Sequence, residues 1–273
     1  MTTFVLVSGG YTGGWIWREV TARLRESGAA AHPATLTGLG DRRHLAGPGT
    51  DLETHIEDLV QLIDHVDAGD AGLVLVGHCY GIYPVLGAAD RRPERIARIV
   101  YLDAPMPEDG RSVLEQTPCE LRERVRQRAG ASGDGRSIPP PPLEDREIWG
   151  SLAGISEDAR ARLVRLAAPQ PLGTLTQPLR LSGAVAAIPT SGVFCTDNGL
   201  SIAMAEGLVA TGDPRFQVLA DPRVGFFELP TGHWPMLSSP VELADVLLRA
   251  AAGEGHRLAD PKAAPSVERN VRA

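Results

Sequence analysis

A cysteine between two glycines, a histidine far along the chain and two candidate aspartates could together make and break an acyl bond. Residues 73–81 read Leu-Val-Leu-Val-Gly-His-Cys-Tyr-Gly. An aliphatic run stops at Gly77, and beyond Gly81 apolar residues recur at helical spacing as Ile82, Val85, Leu86 and Ala89. This is the sequence form of a nucleophile elbow, a strand-to-helix turn tight enough to strain its central residue. The glycines are needed because side chains there would collide with the strand and the helix it feeds. The central residue is Cys79. A thiol at a helix N-terminus meets unpaired N–H groups and the positive end of the helix dipole, which favour thiolate, and a nearby histidine favours it further.

His233, in Leu-Pro-Thr-Gly-His-Trp-Pro, follows the last strand-like run and precedes the last helix-like one. A loop at the carboxyl end of a sheet is where a general base for acyl transfer belongs. His78 neighbours the nucleophile and is expected to point away, packed under the turn. Ser8-Gly9-Gly10-Tyr11 follows the first strand, so its glycine turn can offer a backbone N–H to a developing oxyanion. The expected pair of oxyanion donors is Gly10 N–H and Tyr80 N–H. The spacing Gly9-Gly10-Tyr11-Thr12-Gly13-Gly14 does not match a dinucleotide fingerprint, and no suitable acidic residue follows the next strand.

The elements that must position these groups alternate. Strands are expected at 4–8, 30–35, 73–77, 98–103, 191–196 and 224–229. Helices are expected at about 15–26, 51–65, 80–91 and 240–252. This order implies an α/β fold: a mostly parallel twisted sheet with helices on both faces. From 106 to 187 the pattern breaks into a polar, Pro- and Gly-rich stretch with helical pieces at 122–128 and 158–166, read as an inserted helical lid. The core is then 1–105 and 188–253, with a disordered tail at 254–273.

Composition narrows the classes. With 273 residues, 43% hydrophobic and 22% charged, the chain suits one sizeable domain with an insertion. A net charge of −7 argues against nucleic acid or an anionic membrane as partner. No apolar run reaches the roughly 18 residues of a membrane span. The N-terminus enters a strand without a basic region, so a signal peptide is not expected. Three irregularly spaced cysteines make no disulfide framework, and Cys119 and Cys195 are read as ordinary small apolar residues. The protein is read as cytoplasmic and reduced. Without CxxC or HExxH, no metal and no cofactor are expected.

These features resemble the α/β-hydrolase fold, in its plant methylesterase and hydroxynitrile-lyase branch. The likeness rests on Phe4-Val-Leu-Val, Gly13-Gly14-Trp15 with Trp17, residues 35–42 (Thr-Leu-Thr-Gly-Leu-Gly-Asp-Arg), Asp51-Leu-Glu-Thr-His-Ile, the elbow, Tyr101-Leu-Asp-Ala and Gly232-His233. It spans about 4–105 and 188–250 and is weak in the lid. The resemblance implies a nucleophile–histidine–acid triad, with two departures. Residue 8 would usually be His and residue 79 Ser. Asn198 stands where that branch carries its acid, so the acid is either Asp103, at the end of the strand after the elbow helix, or Asp197 after a one-residue shift.

A cysteine nucleophile gives a thioester acyl-enzyme, which stays activated for a second nucleophile. The implied partner is a small-molecule or carrier-protein-bound acyl substrate, released by intramolecular cyclisation or by hydrolysis. In the first respect the chain is similar to cysteine-dependent Dieckmann cyclases that release tetramates in specialised metabolism. A simple esterase or thioesterase needs the same residues, and a non-catalytic binder of the same fold is the third reading.

Overall fold

The computed structural model describes residues 1–133 and 135–258, apart from the Asp70 side chain. Six strands form one sheet: β1 (Thr3–Val7), β2 (Ala30–Ala34), β3 (Leu73–His78), β4 (Ile96–Leu102), β5 (Thr190–Cys195) and β6 (Val224–Leu229). Their order is β2-β1-β3-β4-β5-β6, and every neighbouring pair is parallel. Phe4 to Val7 of β1 and the whole of β3 are buried, which explains why these strands read as continuous apolar runs rather than alternating ones.

The longer helices are α1 (Arg18–Glu26), α2 (Leu52–His65), α3 (Ile82–Arg91), α4 (Cys119–Ala131), α5 (Glu157–Leu166), α6 (Ile202–Ala210) and α7 (Pro240–Ala251). Right-handed crossovers put α1 on one face, because β2 lies left of β1, and α2 and α3 on the other. The packing agrees: α1 meets α7, and α2 meets α3. Asp51 and Thr54 close a capping box that starts α2, whose Ile56, Leu59, Val60 and Ile63 are buried. Each such burial stabilises by about 1.5–3 kcal/mol. Because β2 and β3 flank β1, the winding reverses at the carboxyl ends of β1 and β3. Open parallel sheets bind ligands at such reversals.

Between β4 and β5, residues 106–187 carry α4, α5, three shorter α-helices, a 3-10 turn and a two-residue ladder pairing Ser137–Ile138 with Gln170–Pro171. Its buried Leu114, Val125, Trp149, Leu163 and Leu175 join the same apolar cluster as the sheet. α6, capped by Ser201, stands where the sequence reading placed no helix. The disordered tail expected from 254 is corrected at its start. Residues 254–258 lie beside β6, with two backbone hydrogen bonds joining His256 and Phe226 and with Leu258 buried. The remainder of that expectation, 259–273, lies outside the described residues. Cys119 is exposed, so the reading as a packed apolar residue fits only Cys195. Among the described residues no helix is long and apolar enough to cross a membrane.

Candidate catalytic site

Three residues other than glycine have a left-handed backbone among the described residues: Tyr11 (φ 65°), Cys79 (φ 51°) and Asp103 (φ 43°). They follow β1, β3 and β4, at the carboxyl edge of the sheet. Each such conformation costs about 1–3 kcal/mol and persists only where the surroundings impose it. At the elbow the imposition is steric. A Cβ on Gly77 would fall 2.7 Å from Ile82 Cα, and one on Gly81 would fall 2.6 Å from the Ser8 carbonyl oxygen. The strand can therefore turn into α3 only through glycines, and Cys79 is presented, half-buried, at the apex.

His233 is buried and comes on the loop after β6. Its Nδ1–H donates to Asp103 Oδ2 at 2.6 Å. Its other ring nitrogen is left for Cys79, whose thiol is within hydrogen-bonding reach of the ring. Burial alone opposes a charge on this ring. The facing Cys79 sulfur and the Asp103 carboxylate outweigh it and raise the His233 pKa to about 10. The ring therefore favours its protonated form at neutral pH.

The Asp103 carboxylate accepts two further hydrogen bonds, from Asn198 Nδ2–H at 2.7 Å and from Cys195 N–H at 3.1 Å. Asp103 N–H is fixed on the Val193 carbonyl at 2.8 Å, which anchors the end of β4 to β5. Asp197 lies one residue from Asn198 but is exposed, and among the described residues only its backbone N–H is engaged, by the Thr231 carbonyl. The structure thus brings Cys79, His233 and Asp103 together and leaves Asp197 outside.

His78 is fully buried under the turn. It accepts Gly9 N–H on Nδ1 at 3.2 Å and donates Nε2–H to the His233 carbonyl at 2.7 Å. Burial, then the neighbouring His233 ring, push its pKa well down, so it is a neutral clamp between two loops of the site. Gly10 and Tyr80 line one cavity with Cys79, of about 210 Å³. Gly9 N–H is spent on His78, whereas Gly10 N–H has no protein acceptor among the described residues. Tyr80 sits in the first turn after the elbow, where N–H groups lack intrahelical partners.

The insertion closes this cavity with Val113, Leu121, Ile148, Trp149 and Leu175. It is also hydrogen-bonded to the histidine loop. Trp234 Nε1–H donates to the Trp149 carbonyl at 2.7 Å, and His233 N–H to the Ser151 carbonyl at 2.8 Å. Ser151 N–H donates to Asn198 Oδ1 at 2.8 Å. A Cβ on Gly150 (φ 66°) would lie 2.7 Å from His233 Cβ, so glycine is needed for this approach. Trp149, Ser151 and the amide of Asn198 were not singled out as working residues in the sequence, because only long-range contacts define them.

A second cavity, about 470 Å³, lies under α6 and is lined by Tyr101, Phe194, Met204, Leu208, Phe216 and Phe226, among others. Its lining includes Thr190, Ser191 and Ser201 but no cysteine and no histidine. Among the described residues no group of three or more His, Cys, Asp or Glu side chains could hold a metal ion.

Comparison with known proteins supplies the broader class. Residues 4–246 match the model of the alpha/beta hydrolase family. The carbendazim hydrolyzing esterase of Nocardioides sp. (strain SG-4G) is 33% identical over 249 residues, 90% of this chain and 98% of that protein. Methyl jasmonate esterase 1 of Vitis vinifera is 30% identical over 190 residues, 65% of this chain and 67% of that protein. Among solved structures, an extracellular alpha/beta-hydrolase from a Paenibacillus species superposes with a TM-score of 0.73 at 26% identity. It covers 92% of this chain and 99% of its own, and is described as sharing structural and functional homology with tobacco salicylic acid binding protein 2.

Proposed function

The chain belongs to the alpha/beta hydrolase family, and we propose that within it the protein is an esterase that works through a Cys79 thioester. The observation that carries this reading is the buried His233–Asp103 pair, 2.6 Å long, held against a half-buried Cys79 in strained backbone. A non-catalytic binder has no use for that strain or for a charged pair kept dry.

In this mechanism the Cys79 thiolate attacks the ester carbonyl carbon. The oxygen becomes an oxyanion facing Gly10 N–H and Tyr80 N–H, donors of a kind worth about 10²–10³-fold each in rate. As the tetrahedral adduct collapses, the C–O bond breaks and His233 gives its Nε2 proton to the departing alkoxide. The alcohol leaves and the acyl group stays on Cys79. His233, now neutral, takes a proton from water, whose oxygen attacks the thioester carbon. The C–S bond breaks, the acid departs, and thiolate and imidazolium are restored. Asp103 holds the imidazole in one tautomer and stabilises its cation throughout.

The cavity limits the substrate. About 210 Å³ lined mainly by apolar and aromatic groups suits a small uncharged acyl or alcohol portion, below the usual 300–1,000 Å³ of ligand pockets. The relatives named as esterases point the same way.

One specific observation favours a second reading: a cysteine nucleophile keeps the acyl group activated for transfer. On that reading a carrier-bound acyl chain is released by Dieckmann-type cyclisation, with the insertion 106–187 as a lid excluding water. Turnover of a panel of methyl, p-nitrophenyl and N-acetylcysteamine esters, with products identified by mass spectrometry, separates the two. Free acid from the simple esters, lost in Cys79→Ala, is expected. Inertness towards all of them, or ring-closed products alone, overturns the esterase reading.

A further inference from the structure

Gln170 lines the cavity of Cys79 although it comes from the insertion. It is polar yet fully buried. Its Oε1 accepts Tyr11 N–H at 3.1 Å, and its Nε2–H donates to Thr174 Oγ1 at 2.6 Å. Thr174 Oγ1 lies 2.6 Å from the Pro171 carbonyl and within hydrogen-bonding reach of the Tyr80 phenol oxygen, and its one proton can go to either acceptor. Tyr80 O–H donates to His55 Nδ1 at 2.8 Å, and His55 Nε2–H is fixed on the Thr37 carbonyl at 2.8 Å. One buried polar chain therefore runs from the turn after β1 to the residue after the nucleophile, and those two places carry the two oxyanion donors.

Gly10 is bracketed along the main chain. Gly9 N–H is held by His78, Tyr11 N–H by Gln170, and the Tyr11 carbonyl by Ala168 N–H at 2.8 Å. Tyr11 is the residue whose left-handed backbone aims this turn. Without an acceptor for its N–H, Tyr11 gains by relaxing towards ordinary backbone space, and Gly10 N–H swings with it.

We propose that Gln170 is a positioning residue of the oxyanion hole: brought in by the insertion, it holds Tyr11 so that Gly10 N–H stays aimed at the carbonyl oxygen on Cys79, and through Thr174 it ties that donor to Tyr80. The inference rests on the Cys79 thioester reading. It makes the insertion part of the catalytic geometry as well as a cover for the cavity.

The test uses the whole protein, acylated with p-nitrophenyl acetate or its ¹³C-carbonyl form and quenched into the acyl-enzyme. The position of the thioester carbonyl band is then read by isotope-difference infrared spectroscopy, alongside kcat, KM and Tm. In the wild type the band is expected at lower wavenumber than that of a free thioester, because both donors polarise it. Gln170→Leu is expected to return it towards the free position and to lower kcat about 10–100-fold, within the range for loss of one oxyanion donor, with KM within about 3-fold. Gln170→Glu keeps an oxygen acceptor for Tyr11 N–H and is expected to restore band and rate largely. Thr174→Val should shift both in the same direction by less. A Gln170→Leu enzyme with the wild-type band and kcat overturns the inference while leaving the thioester intact. Equal losses in the Leu and Glu variants that follow Tm alone also overturn it. A wild type that forms no acyl adduct overturns the thioester reading, and this inference with it.

Discussion

Two cavities of this protein differ in the opposite sense from their size. The larger, about 470 Å³ under α6, is walled mainly by aromatic and aliphatic side chains with a few hydroxyls, and its charged pair, Arg223 and Asp221, bonds to itself at 2.7 Å. The smaller, about 210 Å³, carries Cys79 and is edged by strained backbone, a buried ion pair and a run of hydrogen-bonded polar side chains. The end of β4 serves both regions: Ala104 lines the large cavity, while Asp103 turns its carboxylate to His233. Catalysis requires groups held where they would not rest by themselves, and only the smaller cavity is built to hold them. Apolar volume by itself offers nothing a reaction could use.

The sharpest way to break this contrast is Cys79→Ala. Removing a nucleophile that acts as a unit with its base is expected to lower kcat/KM by about 10⁴-fold or more. Ester turnover within tenfold of wild type would move the chemistry elsewhere. Next comes Asp103→Asn, which keeps shape but presents the wrong partner to Nδ1–H and is expected to cost about 10³–10⁴-fold in kcat. Asp197→Asn should stay within about 2-fold, as expected for an exposed group away from the site. The reverse ranking would put the acid at 197. A sharper version is the exchange Asp103→Asn with Asn198→Asp. Asn198 Nδ2 lies 3.2 Å from His233 Nδ1, so a carboxylate at 198 can take over the hydrogen bond. The double variant is expected to recover at least about tenfold over Asp103→Asn, roughly one charge-assisted hydrogen bond.

The pH behaviour follows from His233. Its pKa in the folded protein is raised above the ordinary 6.5 to about 10. Its contribution to stability is therefore full below pH 6.5 and is lost as pH rises through about 10. Turnover should hold across neutral pH and fall on that alkaline limb as the imidazolium loses its proton. In Cys79→Ala the facing sulfur is gone, so the ring should titrate lower; nitrogen-resolved NMR of the imidazole reads the change directly. An unchanged titration would mean that sulfur and ring do not interact. The smallest effect is expected from Met204→Ser in the large cavity, an exposed position where kcat should stay within about 2-fold.

Legibility in the sequence tracked how local each constraint is. The elbow was readable because two glycines and a strand-to-helix switch fall within a few residues of Cys79, and sterics leave no other residue at those places. The same holds for β1, β3 and α2, whose burial patterns repeat along the chain. Asp103 and Asp197 could not be separated in the sequence, since both end strands at the same edge of the sheet. The distinction lies in a left-handed turn at Asp103 and in hydrogen bonds reaching 92 to 130 residues along the chain. Gln170 and Ser151 have no local signature either, because their partners are 159 and 47 residues away. The segment at 254–258 joins β6 through backbone groups, which composition does not reveal.

The central claim is that Cys79 takes the acyl group. Intact mass measured after brief exposure to p-nitrophenyl acetate and to the acetyl thioester of N-acetylcysteamine tests it most directly. One acetyl group is expected on the wild type, mapped to Cys79 and absent from Cys79→Ala. An unmodified wild type that still hydrolyses these esters, or an adduct that persists in Cys79→Ala, would contradict it.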